Sequence, residues 1–168
     1  IDMSTQQFQG PVEMLDTVEI KGLLNTVKIG VRSISATASL SADDSGKLIL
    51  IGPAAAGLGS DTVLTLPSAA SGLHFRMQYM GGAADAHDLQ LNTGSDTNYF
   101  IGGIAQHDPD NGGDDTVVYH PDLNSNSKIN FLTPDSGTWI ELYCDGTNWF
   151  INATLVSATD TGVTFADQ

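Results

Sequence analysis

Trp139-Ile140-Glu141-Leu142-Tyr143-Cys144-Asp145-Gly146-Thr147-Asn148-Trp149-Phe150-Ile151 is the stretch that decides the fold class. Its first half alternates. Ile140, Leu142 and Cys144 fall on one side of an extended chain, and Trp139, Glu141 and Tyr143 on the other, the period of two that a half-buried strand requires. Asp145-Gly146 supplies the positive φ of a tight turn, after which Trp149-Phe150-Ile151 starts a returning strand. The segment reads as a β-hairpin.

Working outward, the same alternation recurs. Phe75, Met77 and Tyr79 alternate with His74, Arg76 and Gln78; Val27, Ile29 and Val31 alternate with Thr26, Lys28 and Arg32; Val18 and Ile20 alternate with Thr17, Glu19 and Lys21. Leu48-Ile49-Leu50-Ile51 is a short continuous apolar run, as in a strand buried on both faces. Further strands are expected over 36–41, 62–66, 88–92, 98–102, 115–120, 128–132, 138–144, 147–152 and 162–165. Turn signals separate them: Asp43-Asp44-Ser45-Gly46, Gly52-Pro53, Gly81-Gly82, Asn111-Gly112-Gly113 and Pro134-Asp135-Ser136-Gly137. Strands at roughly ten-residue spacing with such punctuation indicate an all-β domain, a β-sandwich or jelly-roll-like antiparallel arrangement. No internal repeat of fixed period is visible.

Residues 1–16 differ. Pro11 to Asp16 would form one helical turn, but nothing before it is periodic. The reading is an extended N-terminal arm (1–16) ahead of a single β-rich domain (17–168). Phe8, Val12, Met14 and Leu15 would be wasted on solvent in a frayed end, so they are candidate partner-binding residues that lie along a neighbour or add a strand to it. The opening residues show neither a basic region nor an apolar run, so no signal peptide is expected. No apolar run reaches the length of a membrane-spanning helix.

With 168 residues, the chain is long enough for one domain with its own core. The single cysteine, Cys144, excludes an intrachain disulfide. The net charge of −14 opposes both nucleic-acid binding, which needs clustered Lys and Arg, and attraction to anionic lipid. Charge is uneven along the chain. Residues 1–50 carry four bases and six acids, and residues 51–168 two bases and fourteen acids. A nearly neutral third joined to a strongly acidic remainder suits a molecule docked at one end and solvated at the other, or it is a chance asymmetry of an acidic protein.

Motifs with catalytic geometry are missing: no Gly-x-Ser-x-Gly, no phosphate-cradling glycine loop, no Cys-x-x-Cys. Gly57-Leu58-Gly59 lacks a third glycine and a strand-to-helix context. His74, His87, His107 and His120 have no metal-ligand spacing. The acidic stretch around Asp108, Asp110, Asp114 and Asp115 would wrap a hard cation such as calcium through oxygen ligands, though a solvated acidic hairpin tip explains the same residues. No cofactor is expected, and no enzyme. Glu141, flanked by Trp139 and Tyr143, fits either a sugar-binding platform or the rim of a subunit contact; the contact is the favoured reading, with Trp139, Tyr143 and Trp149 as further candidate partner-binding residues.

Three segments in this order resemble a recurrent module of tailed-bacteriophage virion proteins, chiefly capsid decoration (cement) proteins: Ala38 to Leu50, Val63 to Pro67 with Gly72 to Arg76, and Trp139 to Ile151. The resemblance spans about residues 38–152 and leaves the first 35 or so unmatched. It implies a β-rich module on the particle, often a homotrimer, without enzymatic activity, and the leading reading is a decoration protein bound to the major capsid protein on the outer capsid surface. It carries over no catalytic residue. The rival from another class is a carbohydrate-binding module associated with a tail fibre or spike, with an aromatic and carboxylate groove around Trp139, Glu141, Tyr143 and Trp149. A glycan hydrolase is a third alternative without a readable motif.

Overall fold

The structure, a computed structural model, describes residues 29–53, 56–82, 87–110, 116–124 and 126–168. The expected arm, with Phe8, Val12, Met14 and Leu15, lies outside the described residues, as does the alternation at Val18 and Ile20.

Twelve strands run through the described chain: β1 (Val31–Ile34), β2 (Ala38–Ser39), β3 (Leu48–Ile51), β4 (Thr62–Thr65), β5 (His74–Tyr79), β6 (Leu89–Asn92), β7 (Phe100–His107), β8 (Thr116–Tyr119), β9 (Lys128–Phe131), β10 (Trp139–Cys144), β11 (Trp149–Val156) and β12 (Val163–Ala166). They form a seven-stranded sheet in the order β1-β3-β5-β10-β11-β7-β8 and a five-stranded sheet in the order β12-β9-β6-β4-β2. The all-β, sandwich-like reading holds. Among the described residues the helical structure is a 3-10 turn at Ala42–Asp44, and no helix is long and apolar enough to cross a membrane.

The antiparallel part of the expectation needs correcting, because β1–β3, β3–β5, β2–β4, β4–β6 and β7–β11 pair in parallel. The chain explains why. From β1 to β7 it crosses to the other sheet after every strand, and as far as β6 each strand returns beside its predecessor but one and in the same direction, whereas β7 pairs in parallel with β11. The turn signals at Gly46 and Gly52-Pro53 therefore mark crossings between sheets, not hairpins. Alternation and turn residues look alike in both cases. The hairpin read at Asp145-Gly146 is real: β10 and β11 pair antiparallel from Trp139↔Thr154 to Cys144↔Trp149.

Each strand sends one apolar set inward. Ile49, Ile51, Phe75, Met77, Phe100, Ile104, Ile140, Leu142, Trp149, Ile151 and Leu155 come from the larger sheet, and Leu64, Leu89, Leu91, Ile129, Phe131 and Val163 from the smaller. Leu48-Ile49-Leu50-Ile51 is buried on one face only; Leu48 and Leu50 are half-buried on the outside. At the rim, Arg32 joins the sheets. Its guanidinium bonds the Asp44 carboxylate and donates to the Ser39 carbonyl at 3.1 Å. A buried amide closes the far end: Gln106 Oε1 accepts from Gly162 N at 2.8 Å and from the Tyr119 hydroxyl at 3.0 Å, while its Nε2 donates to the Thr159 carbonyl at 2.6 Å.

Candidate functional site: the outer face of the seven-stranded sheet

The strand registers place the outward side chains in rows across the sheet. One row runs Val31, Leu48, Arg76, Glu141, Asn152, Gly103 from β1 to β7. The row above it runs Ser33, Leu50, Gln78, Trp139, Thr154, Ala105, Val118. Below lie His74, Tyr143, Phe150 and Ile101. Ile29 is 61% exposed, Val31 58%, Val118 50%, Tyr143 48% and Phe150 42%, which is a high apolar load for one sheet face.

Among the described residues carboxylates avoid the strands of both sheets, Glu141 excepted. Thirteen acids belong to the described residues, and all but Glu141 are aspartates outside the twelve strands. Glu141 itself is paired. Its Oε1 lies 3.4 Å from His74 Nε2 and 3.4 Å from Arg76 Nε. His74 stacks on Tyr143 with ring centroids 4.5 Å apart and planes 5° from parallel. The hydrogen bond with Glu141 pushes the Tyr143 phenol up from its ordinary pKa. Two hollows flank the cluster. One, of about 110 Å³, lies among Leu48, Arg76, Gln78, Trp139 and Glu141. The other, of about 290 Å³, is bordered by Ile29, Val31, Gly46, Leu48, His74 and Arg76.

The opposite outer face is of another kind. On the five-stranded sheet, Gln90, Asn92, Lys128, Asn130 and Thr164 point outward, with Gln90 Nε2 donating to Asn92 Oδ1 at 2.8 Å and Asn130 Nδ2 to Thr164 Oγ1 at 3.1 Å. That surface is one of amides and hydroxyls. The seven-stranded face instead sets a paired Glu141–Arg76–His74 cluster among exposed apolar side chains.

Of the residues singled out in the sequence, Trp139 and Tyr143 share this face, with Trp139 half-buried. Trp149 does not. It is 0% exposed and packs against Phe75 with ring centroids 5.8 Å apart, so it is a core residue and not a partner contact. The signal was available: across the turn Trp149 pairs with Cys144, whose alternation already assigns it inward. By the same register Phe150 opposes Tyr143 and belongs to the face. Val31, Leu48, His74 and Arg76 were also not singled out, because the pairings that align them, parallel for β1–β3 and β3–β5 and antiparallel for β5–β10, join strands far apart in sequence.

In the acidic stretch, Asp108 Oδ1 accepts from Asp110 N at 2.9 Å, a local turn bond. Asp114 and Asp115 lie outside the described residues, and among the described ones no three of His, Cys, Asp and Glu converge as metal ligands. Asp44 is the strongly perturbed acid. Burial alone would raise its carboxyl, but the Ser41 backbone N–H, Lys47 Nζ at 3.0 Å and Arg32 outweigh that and hold it at about 2. Its role is to clasp the first crossing, away from the face.

No protein-family model matches the chain, and no curated protein or solved structure matches it significantly.

Proposed function

We propose that this chain is a capsid decoration protein of a tailed bacteriophage: a protein without catalytic activity that binds the major capsid protein on the outer surface of the shell, assembles with its own copies and stabilises the particle. One observation carries the reading. Among the described residues of a protein of net charge −14, every aspartate lies outside the strands, and the outer face of the seven-stranded sheet, its one glutamate paired with Arg76, is broad and half-apolar. Depletion of charge with enrichment of aromatic and aliphatic side chains is the composition of a surface buried on assembly. Individually weak contacts then suffice, because many copies on one particle act together through effective concentration. Arg32 and Lys47, beside β1 and β3, belong to the nearly neutral N-terminal third of the chain, which also holds Lys21 and Lys28 in sequence. This is the side assigned to the shell, and the acidic loops are assigned to solvent.

The direct test mixes purified protein with undecorated shells and pellets them. Saturable co-sedimentation is expected; protein that stays in the supernatant at every concentration rejects the assignment.

A second reading draws on the stacked His74–Tyr143 pair beside Trp139, Arg76 and Glu141, which together resemble the aromatic and polar lining of a sugar site. It makes the chain a fibre- or spike-associated carbohydrate-binding module. Glycan-array binding that disappears in Trp139→Ala would move the assignment there.

A further inference from the structure

We propose that the outer face of the seven-stranded sheet is a self-association surface, on which a second copy of this chain packs face to face about a twofold axis between β5 and β10. The argument starts from charge. Two molecules each carrying −14 repel, and they can approach closely only where acids are absent or matched. On this face the charged groups are Glu141, Arg76 and, when protonated, His74, at its centre.

Those two central charges are neighbours in one row, Arg76 on β5 and Glu141 on β10. A twofold contact demands a patch that complements itself. An axis between these strands sets Arg76 of each copy against Glu141 of the other, turning each intramolecular pair into a four-charge square of alternating sign. The same operation lays β3 over β11 and β1 over β7 of the second copy. The rows are kept, so Leu48 then meets Asn152, Leu50 meets Thr154, and the protruding Val31 meets Gly103, whose missing side chain leaves room for it. Large against small on both sides is the complementarity of stacked sheets.

The size is adequate. From β1 to β7 the face is about 24 Å wide and strands of six residues make it about 20 Å tall. Side-chain relief brings that towards the roughly 800 Å² per partner of a stable interface. The amide-rich outer face of the smaller sheet, whose groups bond one another, provides no comparable drive.

The inference rests on the reading of this face as an assembly surface, and the two fail separately: attachment is read with shells, self-association without them. The experiment is light scattering after size exclusion on the full chain, wild type, R76E, E141R and an equimolar mixture of the two variants. Both exchanged residues are on the surface, and thermal melts check that each variant folds. The wild type is expected as a dimer at micromolar concentration. Each single variant brings like charges together and weakens the dimer at least tenfold. The mixture restores the dimer mass, because every charge pair across the contact between the two copies is again of opposite sign. A threefold ring cannot alternate two variants, so rescue on mixing is particular to a twofold contact. A wild-type monomer, a mass of three chains, single variants that still dimerise, or a folded pair that fails to recover on mixing would each overturn the proposal. Should either charge variant fail to fold, F150D serves in its place: an unchanged dimer in that variant also overturns it.

Discussion

Trp149 has its indole N–H buried without a hydrogen-bond partner among the described residues, at a position with no exposed surface. An unpaired buried donor costs about 1–3 kcal/mol. Trp149→Phe removes that penalty together with some contact area, so the two effects nearly cancel and urea unfolding should stay within about 1 kcal/mol of wild type. Trp149→Ala leaves a cavity and should lose about 3–5 kcal/mol. Asp44 gives the pH counterpart. Its folded pKa of about 2 lies below the ordinary 3.8, so the folded state holds the proton less tightly than the unfolded one. The stability it contributes is present above 3.8 and is lost as the pH falls from there through about 2. Asp145, lowered by the backbone N–H groups of Asn148 and Thr147, acts with the same sign. Unfolding midpoints measured from about pH 5 downward should fall, and Asp44→Asn should both flatten that fall and cost about 3 kcal/mol at neutral pH.

At the scale of elements, what the sequence made legible follows from periodicity. Inward and outward assignment of β5 and β10 could be read residue by residue, as could the β10–β11 hairpin, because alternation and Asp-Gly act within a few residues. The winding from β1 to β7 could not. A crossing to the other sheet uses the same glycines as a hairpin, and only the long-range pairing of β3 with β5, some 26 residues apart, tells them apart. The candidate face suffered accordingly: Trp139 and Tyr143 were found on one strand, while Leu48 and Arg76 entered only through long-range register, parallel between β3 and β5 and antiparallel between β5 and β10. Gly102 shows how tight that register is. It sits at φ +138, and a Cβ there would lie 2.0 Å from the Ile151 carbonyl oxygen. Gly102→Ala should therefore strain the β7–β11 pair and lower stability by more than about 1 kcal/mol, with amide exchange speeding up first across Phe100–His107.

For the molecule as a whole, the segregation of charge is the organising fact. Among the described residues every aspartate lies outside the strands, the outer face of the larger sheet is half-apolar around the Glu141–Arg76–His74 cluster, and that of the smaller sheet carries amides, hydroxyls and Lys128. Attachment through the N-terminal side has its own consequence. Removing residues 1–16 should leave the domain folded, with an unchanged melting temperature, while weakening binding to shells. Saturation of shells at the same concentration as the full chain would exclude a role for that segment.

The central claim is that the outer face of the seven-stranded sheet becomes buried on assembly. Hydroxyl-radical footprinting of dilute free protein against the same protein on shells reads this at single side chains. Oxidation of Trp139, Tyr143 and Phe150 should drop severalfold on the particle while that of Phe165, on the other sheet, stays unchanged. Equal oxidation of all four in both states would contradict the account.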